Sequence, residues 1–268
     1  MIQQTAPIVV AALLQSVYAG AIAYAALRIV TGTLPTLRPI IKYYLCNILL
    51  LIPLIAFVQP LFSLRAVLFA APVLPSEPYT VVNNIVTTPY TPGMATNTAS
   101  PGASFSVQSL WNDINLAIME YSNIIMMVYL AGLVLFATRL MVQYITTRRL
   151  KTEGIAPATH TWLSLLHDTK KRLGVKGNIG LAFTTRNISP CIIGHAKALI
   201  LIPVSMANNL STEQAEAILL HELAHYSQYD HYINIATQCI NCILFFNPFA
   251  WLIIQHANNQ RELSCDNT

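Results

Sequence analysis

Two histidines and a glutamate in the segment HELAHYSQYDH, residues 221–231, have types and spacing suited to metal-dependent hydrolysis. His221 and His225 are four residues apart, so on a helix both imidazoles lie on one face, one turn apart. Two neutral imidazoles of this kind hold one Zn²⁺, and a third protein ligand leaves a position open for water. Glu222 is then placed to act as the general base that takes a proton from that water.

A third metal ligand is needed, and few ionisable side chains follow His225. They are Asp230, His231, His256, Glu262 and Asp266. Glu262 and Asp266 are four residues apart on an expected helix, so Glu262 can bind the metal while Asp266 holds a histidine through its imidazole N–H. Asp230, near the end of the motif helix, is a weaker candidate for a supporting contact of the same kind.

The metal motif requires a helix, and the sequence predicts one. Residues 211–214 read STEQ, a capping box in which the serine and the glutamine satisfy the first backbone N–H groups of a helix. The helix continues through AEAILLHELAHYSQ. The alternative is that these residues form an ordinary charged helix face and match the motif by coincidence. The capping box and the helix that follows it favour the metal site.

The residues before this helix resemble a soluble domain. Residues 159–173 have an apolar and a polar face and are followed by Gly174, which predicts an amphipathic helix with a glycine cap. Residues 178–203 predict two or three short strands. Three further histidines, at 160, 167 and 195, are weak catalytic candidates. We treat all five cysteines as structural, because an odd number spread over apolar stretches does not form a disulfide framework.

Composition indicates a membrane protein. Of the 268 residues, 54% are hydrophobic and only 10% are charged, whereas soluble domains carry about 25% charged residues. Apolar runs near 7–31, 43–63 and 117–138 are long enough to cross a bilayer. Residues 73–114, rich in Pro, Thr, Ser and Asn, form a loop between the second and third crossings.

Basic residues orient the predicted crossings. Arg38 and Lys42 follow the first span, and Arg148 and Arg149 follow the third, whereas the loop after the second span is not basic. The positive-inside rule therefore places the N-terminus outside and everything from about residue 140 onward in the cytoplasm. This placement also accounts for the net charge of +4 without a nucleic-acid partner. We predict a transmembrane region, 1–140, and a cytoplasmic domain, 141–268.

Residues 232–256 resemble a fourth span, which conflicts with a shared metal site. One straight crossing would separate His225 from Glu262 by about 30 Å of hydrocarbon. Asn247-Pro248 interrupts the run, and proline cannot continue a helix without a break. We therefore predict either a bent or re-entrant helical pair that returns to the cytoplasmic side, or a helix lying against the membrane. The sequence leaves both open.

Three ordered motifs resemble one known family. HELAH is followed by N-P-x-x-W at 247–251 and by R-E-x-x-C-D at 261–266, and a stretch S-P-C-I-I-G…I-L-I-P precedes it at 189–203. Together they resemble the BlaR1/MecR1-type membrane metallopeptidases of peptidase family M56. The resemblance covers roughly residues 140–268, and the three earlier spans match the family's architecture more loosely.

The resemblance implies a mainly α membrane protein that carries a cytoplasmic, zincin-like α+β metallopeptidase domain in the bacterial inner membrane. It implies a gluzincin-like zinc endopeptidase, similar in motif to the Ste24 and HtpX proteases. His221, His225 and Glu262 would bind Zn²⁺ and Glu222 would be the base.

Members of this kind cleave a cytoplasmic repressor, or themselves, in response to β-lactams or other envelope signals. The expected partners are the lipid bilayer and a protein substrate, with a transcriptional repressor as one candidate. A homodimer stays open. The chain stops at Thr268 and contains no penicillin-binding S-x-x-K domain, so we expect a fragment and do not assign β-lactam sensing.

Two other functions fit the same residues. A quality-control protease of membrane proteins would have the same catalytic site but a different substrate. A catalytically silent membrane receptor or scaffold would have the same fold without the activity. The intact Glu222 argues against this alternative, since a purely structural zinc needs no general base.

Overall fold

The computed structural model describes residues 2–69, 107–152, 154–194 and 198–266, with side chains from residue 5 to 62 and from 120 onward within these ranges. Most of the predicted loop at 73–114 and the candidate His195 lie outside the described residues.

The first part of the chain consists of long apolar helices. They are α1 (Ile2–Thr33), α2 (Pro39–Leu49), α3 (Leu51–Phe69) and α4 (Val107–Arg149). Within the described ranges, three stretches are long and apolar enough to cross a membrane, as the hydropathy predicted: Thr5–Thr33, Pro39–Phe62 and Glu120–Arg149. The prediction was wrong at one boundary, because residues 107–114 belong to α4 and not to a loop. That stretch contains neither proline nor glycine, so no helix-breaking residue separates it from the rest of α4.

The second part combines a small sheet with further helices. Its elements are β1 (Ile155–Pro157), α5 (His160–Leu173), β2 (Ile179–Thr184), β3 (Cys191–Ile193), β4 (Ala198–Pro203), α6 (Val204–Ala207), α7 (Thr212–Ser227), α8 (Asp230–Ile243) and α9 (Pro248–Asp266). The predicted amphipathic helix is confirmed as α5, which ends at Gly174 with a φ of 65°. The strands predicted within 178–203 are also observed. The sequence did not predict β1, because three residues carry no readable alternation.

Helix α7 packs against the sheet, and the outer strand β3 lies near this helix. Its order is β1-β2-β4-β3, with β2 and β4 parallel and the two outer pairings antiparallel. Leu219 and Leu223 of α7 pack with Ile200 and Ile202 of β4 in one buried cluster. Their burial fixes the rotation of α7, so that other residues of this helix are left for the site.

Helices α8 and α9 form the broken pair that the sequence predicted at Asn247-Pro248. Asn247 is fully buried at the tip. Its Oδ1 accepts hydrogen bonds from the backbone N–H groups of Phe249 and Ala250, while its Nδ2 donates to the Ser16 carbonyl oxygen at 2.8 Å. Gly20 allows this approach, since a Cβ there would lie 2.8 Å from the Asn247 amide nitrogen. The tip therefore packs against the middle of the first candidate span.

Candidate metal centre

Helix α7 begins with the predicted capping box. The Ser211 Oγ accepts a hydrogen bond from the Gln214 backbone N–H at 3.3 Å, and the Gln214 Oε1 accepts one from the Ser211 backbone N–H at 3.0 Å. With its first turn satisfied and its apolar face on the sheet, α7 presents His221 and His225 side by side. Their ring centroids are 4.8 Å apart.

Three ligand atoms from two helices converge at one point. The Nε2 atoms of His221 and His225 are 3.2 Å apart, and each lies 3.8 Å from the Glu262 Oε2 of α9. Tetrahedral zinc with bonds of about 2.0–2.1 Å to nitrogen and oxygen would hold its ligand atoms about 3.3 Å apart. The donor set and its spacing therefore fit a zinc ion.

A carboxylate holds the other nitrogen of each ring. The His225 Nδ1 is 2.7 Å from the Asp230 Oδ2, and the His221 Nδ1 is 3.2 Å from the Asp266 Oδ1. Such contacts orient a ligating imidazole and fix the tautomer that leaves Nε2 as the donor to a metal. The structure thus brings Asp230 and Asp266 into contact with the two histidines.

Nearby carboxylates and cations shift the pKa values of two residues in the cluster. Burial lowers the pKa of His225, but hydrogen bonds with Asp230 and Cys265 outweigh it and raise that pKa to about 10. Burial raises the pKa of Glu262, whereas its hydrogen bond and charge interaction with Arg261 and the charges of the two histidines hold that pKa below its usual range. The surroundings therefore stabilise positive charge at His225, which a bound metal ion would supply in place of a proton, and negative charge at Glu262.

Glu222 lies beside this cluster and is buried, with 7% of its surface exposed. Burial is the main cause that raises its pKa to about 7, while the charge of His225 and the Ile192 backbone N–H act in the opposite direction and Glu262 adds to the increase. A carboxylate with a pKa near the working pH both accepts and releases a proton readily.

A cavity of about 420 Å³ connects the convergent side chains with β3. Its walls include Pro190, Cys191 and Ile192 on the strand side and Asn234 and Arg261 on the helix side. Arg261 Nη2 contacts Glu262 Oε1 at 2.8 Å. An open cavity bordered by a strand edge has room for an extended peptide.

Sequence reasoning missed one neighbour of the cluster. Cys265, which we had treated as structural, has its Sγ 3.2 Å from the His225 Nδ1 and 4.0 Å from the Asp230 Oδ2. Its place in R-E-x-x-C-D, one residue before Asp266, was the signal available. Neither His160 nor His167 lines this cavity, and His256 lines another one.

Fold and site together define a class of protein. A chain with three candidate membrane helices, a small sheet and an H-E-x-x-H helix joined by a distant carboxylate is a membrane protein with a metallopeptidase-type site.

Sequence comparison then gives the family. A family model described as BlaR1 peptidase M56 matches residues 11–268, so the chain belongs to peptidase family M56. The chain is 29% identical over 104 residues to "Regulatory protein BlaR1" of Bacillus licheniformis, a match that covers 39% of this chain and 17% of the relative. It is 26% identical over 91 residues to "Methicillin resistance mecR1 protein" of Staphylococcus aureus, covering 34% and 16%. The matched stretch therefore spans about a sixth of the length of either relative.

Proposed function

We propose that this chain is the peptidase part of a membrane-integrated zinc endopeptidase that cleaves a cytoplasmic regulator, or itself, in signal transduction. The observation that carries the proposal is the convergence of His221 Nε2, His225 Nε2 and Glu262 Oε2 beside the buried Glu222. The regulatory and resistance roles named for the two relatives motivate the signalling part.

In this proposal His221, His225 and Glu262 hold the zinc, and Asp230 and Asp266 orient the two rings. When bound, zinc supplies a Lewis acid that activates a water molecule and polarises the scissile carbonyl. Glu222 accepts the proton of the attacking water and delivers it to the leaving amine. The pKa of about 7 suits both halves of this transfer, because neither protonation state is strongly favoured at neutral pH.

The substrate would bind as an extended strand along β3. Within the described residues β3 is an outer strand of the sheet, and its Ile192 N–H interacts with Glu222. A peptide paired with this edge would bring its backbone across the cavity and past the general base. Backbone pairing places little demand on side-chain identity, so the geometry is compatible with either a separate regulator or a segment of this chain.

The broken helix pair supports a particular membrane arrangement. Asp230 at the start of α8 and Glu262 near the end of α9 both contact His225, so the chain returns to the side from which it left. Its tip contacts Ser16, midway along the first candidate span. We propose that α8 and α9 form a re-entrant hairpin that enters the bilayer from the cytoplasm, in a multi-pass inner-membrane protein whose N-terminus is outside and whose site is cytoplasmic.

The test combines metal analysis with proteolysis on the detergent-purified chain. Zinc per chain, self-cleavage and cleavage of fluorescently labelled casein are measured for wild type, Glu222→Gln and Glu262→Ala. We expect near-stoichiometric zinc in wild type and Glu222→Gln and less zinc in Glu262→Ala. The cleavage rate should fall about 10²- to 10⁴-fold in Glu222→Gln, because the general base is lost.

Each alternative predicts a different result. Stoichiometric zinc without cleavage of either substrate would favour the silent receptor or scaffold. Casein cleavage that exceeds any self-cleavage, together with degradation of unfolded membrane proteins, would favour quality control. Zinc that stays bound in Glu262→Ala would remove Glu262 from the ligand set, and no zinc in any variant would contradict the metallopeptidase assignment.

A further inference from the structure

A second cavity, separate from the metal centre, lies where α1, α2 and α9 meet. Its volume is about 330 Å³, within the usual range for small-molecule sites. The lining residues are Arg28, Thr31 and Gly32 of α1, Lys42 of α2, and His256 and Gln260 of α9. The α1 residues lie at the end of the first candidate span, and Lys42 lies at the start of the second.

The lining is cationic and lacks a matching carboxylate. Within the described part of the chain, neither Arg28 nor Lys42 has an Asp or Glu oxygen within 4 Å. Both cations act electrostatically on the His256 ring, so the three basic groups share one local field. The Lys42 Nζ donates one hydrogen bond to the Pro35 carbonyl oxygen, and its ammonium group has two further N–H donors.

His256 adds a third basic side chain to the lining. Its Nε2 is buried and has no hydrogen-bond partner among the described residues, although a buried polar atom normally has one. An anion in this cavity would neutralise the two cations that act on the ring. Several charged or polar hydrogen-bond donors that converge without an acidic residue are typical of a phosphate-binding site.

Topology alone does not account for this arrangement. Basic residues at the ends of two spans would satisfy the positive-inside rule on any exposed surface. Here they face a concavity that a third helix closes with His256 and Gln260. Ile29 and Ile41, which precede or follow lining residues in the sequence, are exposed at 64% and 48%, so the same two helices also present apolar side chains.

We infer that this cavity binds the phosphodiester headgroup of an anionic phospholipid, with the acyl chains against the apolar surface beside it. Arg28 and Lys42 contact the phosphate, and His256 and Gln260 form the cavity wall beside the headgroup. The lipid source follows from the position at the ends of two candidate spans, where headgroup phosphates lie and where basic pockets between helices recognise them.

Native mass spectrometry on the full chain in detergent tests this inference. Phosphatidylglycerol and phosphatidylcholine with identical acyl chains are titrated separately, and inorganic phosphate serves as a competitor. Arg28→Gln/Lys42→Gln removes the charge, whereas Gly32→Leu fills the cavity without changing charge, since a Cβ at Gly32 meets no atom within 4 Å. Arg148→Gln/Arg149→Gln removes the same charge at the end of α4 and is the matched control.

We expect one tightly retained phosphatidylglycerol on wild type and on the α4 control, with at least tenfold weaker binding in both cavity variants. Unchanged zinc content in these variants would verify that the fold is intact and separates this test from that of the peptidase. Equal weakening in the control, or none in either cavity variant, would overturn the site. Displacement of the lipid by millimolar inorganic phosphate, or equal retention of phosphatidylcholine, would overturn the assignment to an anionic phospholipid.

Discussion

The two sides of the metal centre are built in different ways. The α7 side, with His221, Glu222 and His225, is a single helix whose start is capped locally and whose apolar face is buried on the sheet. The α9 side, with Glu262 and Asp266, follows a helix break whose tip is anchored among the membrane helices. The first side depends on a local cap and on a sheet in the same part of the chain, and the second depends on contacts with residues of the membrane helices far away in sequence.

Exposure follows the same division. The side chains of His225 and Asp230 are 16% and 7% exposed, whereas those of Glu262 and Asp266 are 49% and 64% exposed. Asn247 is fifteen residues before Glu262, or about 22 Å along a helix. His225 and Asp230 are therefore enclosed by surrounding residues. The positions of Glu262 and Asp266 depend instead on the contacts of Asn247, far from them at the start of the same helix.

The largest expected effect comes from removing one ligand on each side. His225→Ala should weaken zinc binding more than about 100-fold, beyond the 10- to 100-fold range of outer contacts, since it also leaves Asp230 buried without the ring. Glu262→Ala should cost less, because water can replace a half-exposed carboxylate. Competition with a chelator measures both affinities. Equal losses of zinc affinity in the two variants would contradict the proposed difference between the α7 and α9 sides.

The supporting carboxylates sharpen the comparison. Asp230→Asn should weaken zinc binding towards the 100-fold end of the range, since Asp230 is buried and 2.7 Å from the His225 Nδ1. Asp266→Asn should fall near the tenfold end, because its contact is longer and exposed. The same chelator titration decides the order, and a larger effect of Asp266→Asn would contradict it.

The anchor of α9 is the next test. Asn247→Ala removes the cap of α9 and the hydrogen bond to Ser16, and should lower the free energy of unfolding by about 1–2 kcal/mol. Zinc affinity should fall as well, because Glu262 is no longer held in place. Thermal unfolding and chelator titration measure the two effects. Asn259→Ala, at an exposed position of α9, is the control, and a similar loss there would argue against the anchor.

The smallest effect is expected at the local cap of α7. Ser211→Ala removes the acceptor for the Gln214 N–H and should cost about 1 kcal/mol of unfolding free energy. Zinc affinity should stay within about twofold, because the sheet still holds the apolar face of α7. Ser205→Ala, exposed on α6, provides the baseline for thermal unfolding. A large loss of zinc would mean that the cap, and not the sheet, positions the histidines.

Features that depend on neighbouring residues could be predicted from the sequence. Hydropathy over about twenty residues predicted the three candidate spans, STEQ predicted the cap of α7, and Asn247-Pro248 predicted the break before α9. Such patterns are readable because a helix forms or ends through bonds between residues only three or four positions apart.

Contacts between distant parts of the chain depend on how the helices pack. The sequence named Glu262 and Asp266 as candidates, but the structure places them against His221, brings Cys265 to His225, and closes the basic cavity with His256. The distances and the partners could not be read from the motif alone, because they depend on how α9 packs against α1 and α2 after the break. Burial of apolar side chains around Leu244 and Ile253 drives that packing, and it is a property of the assembled helices rather than of any one segment.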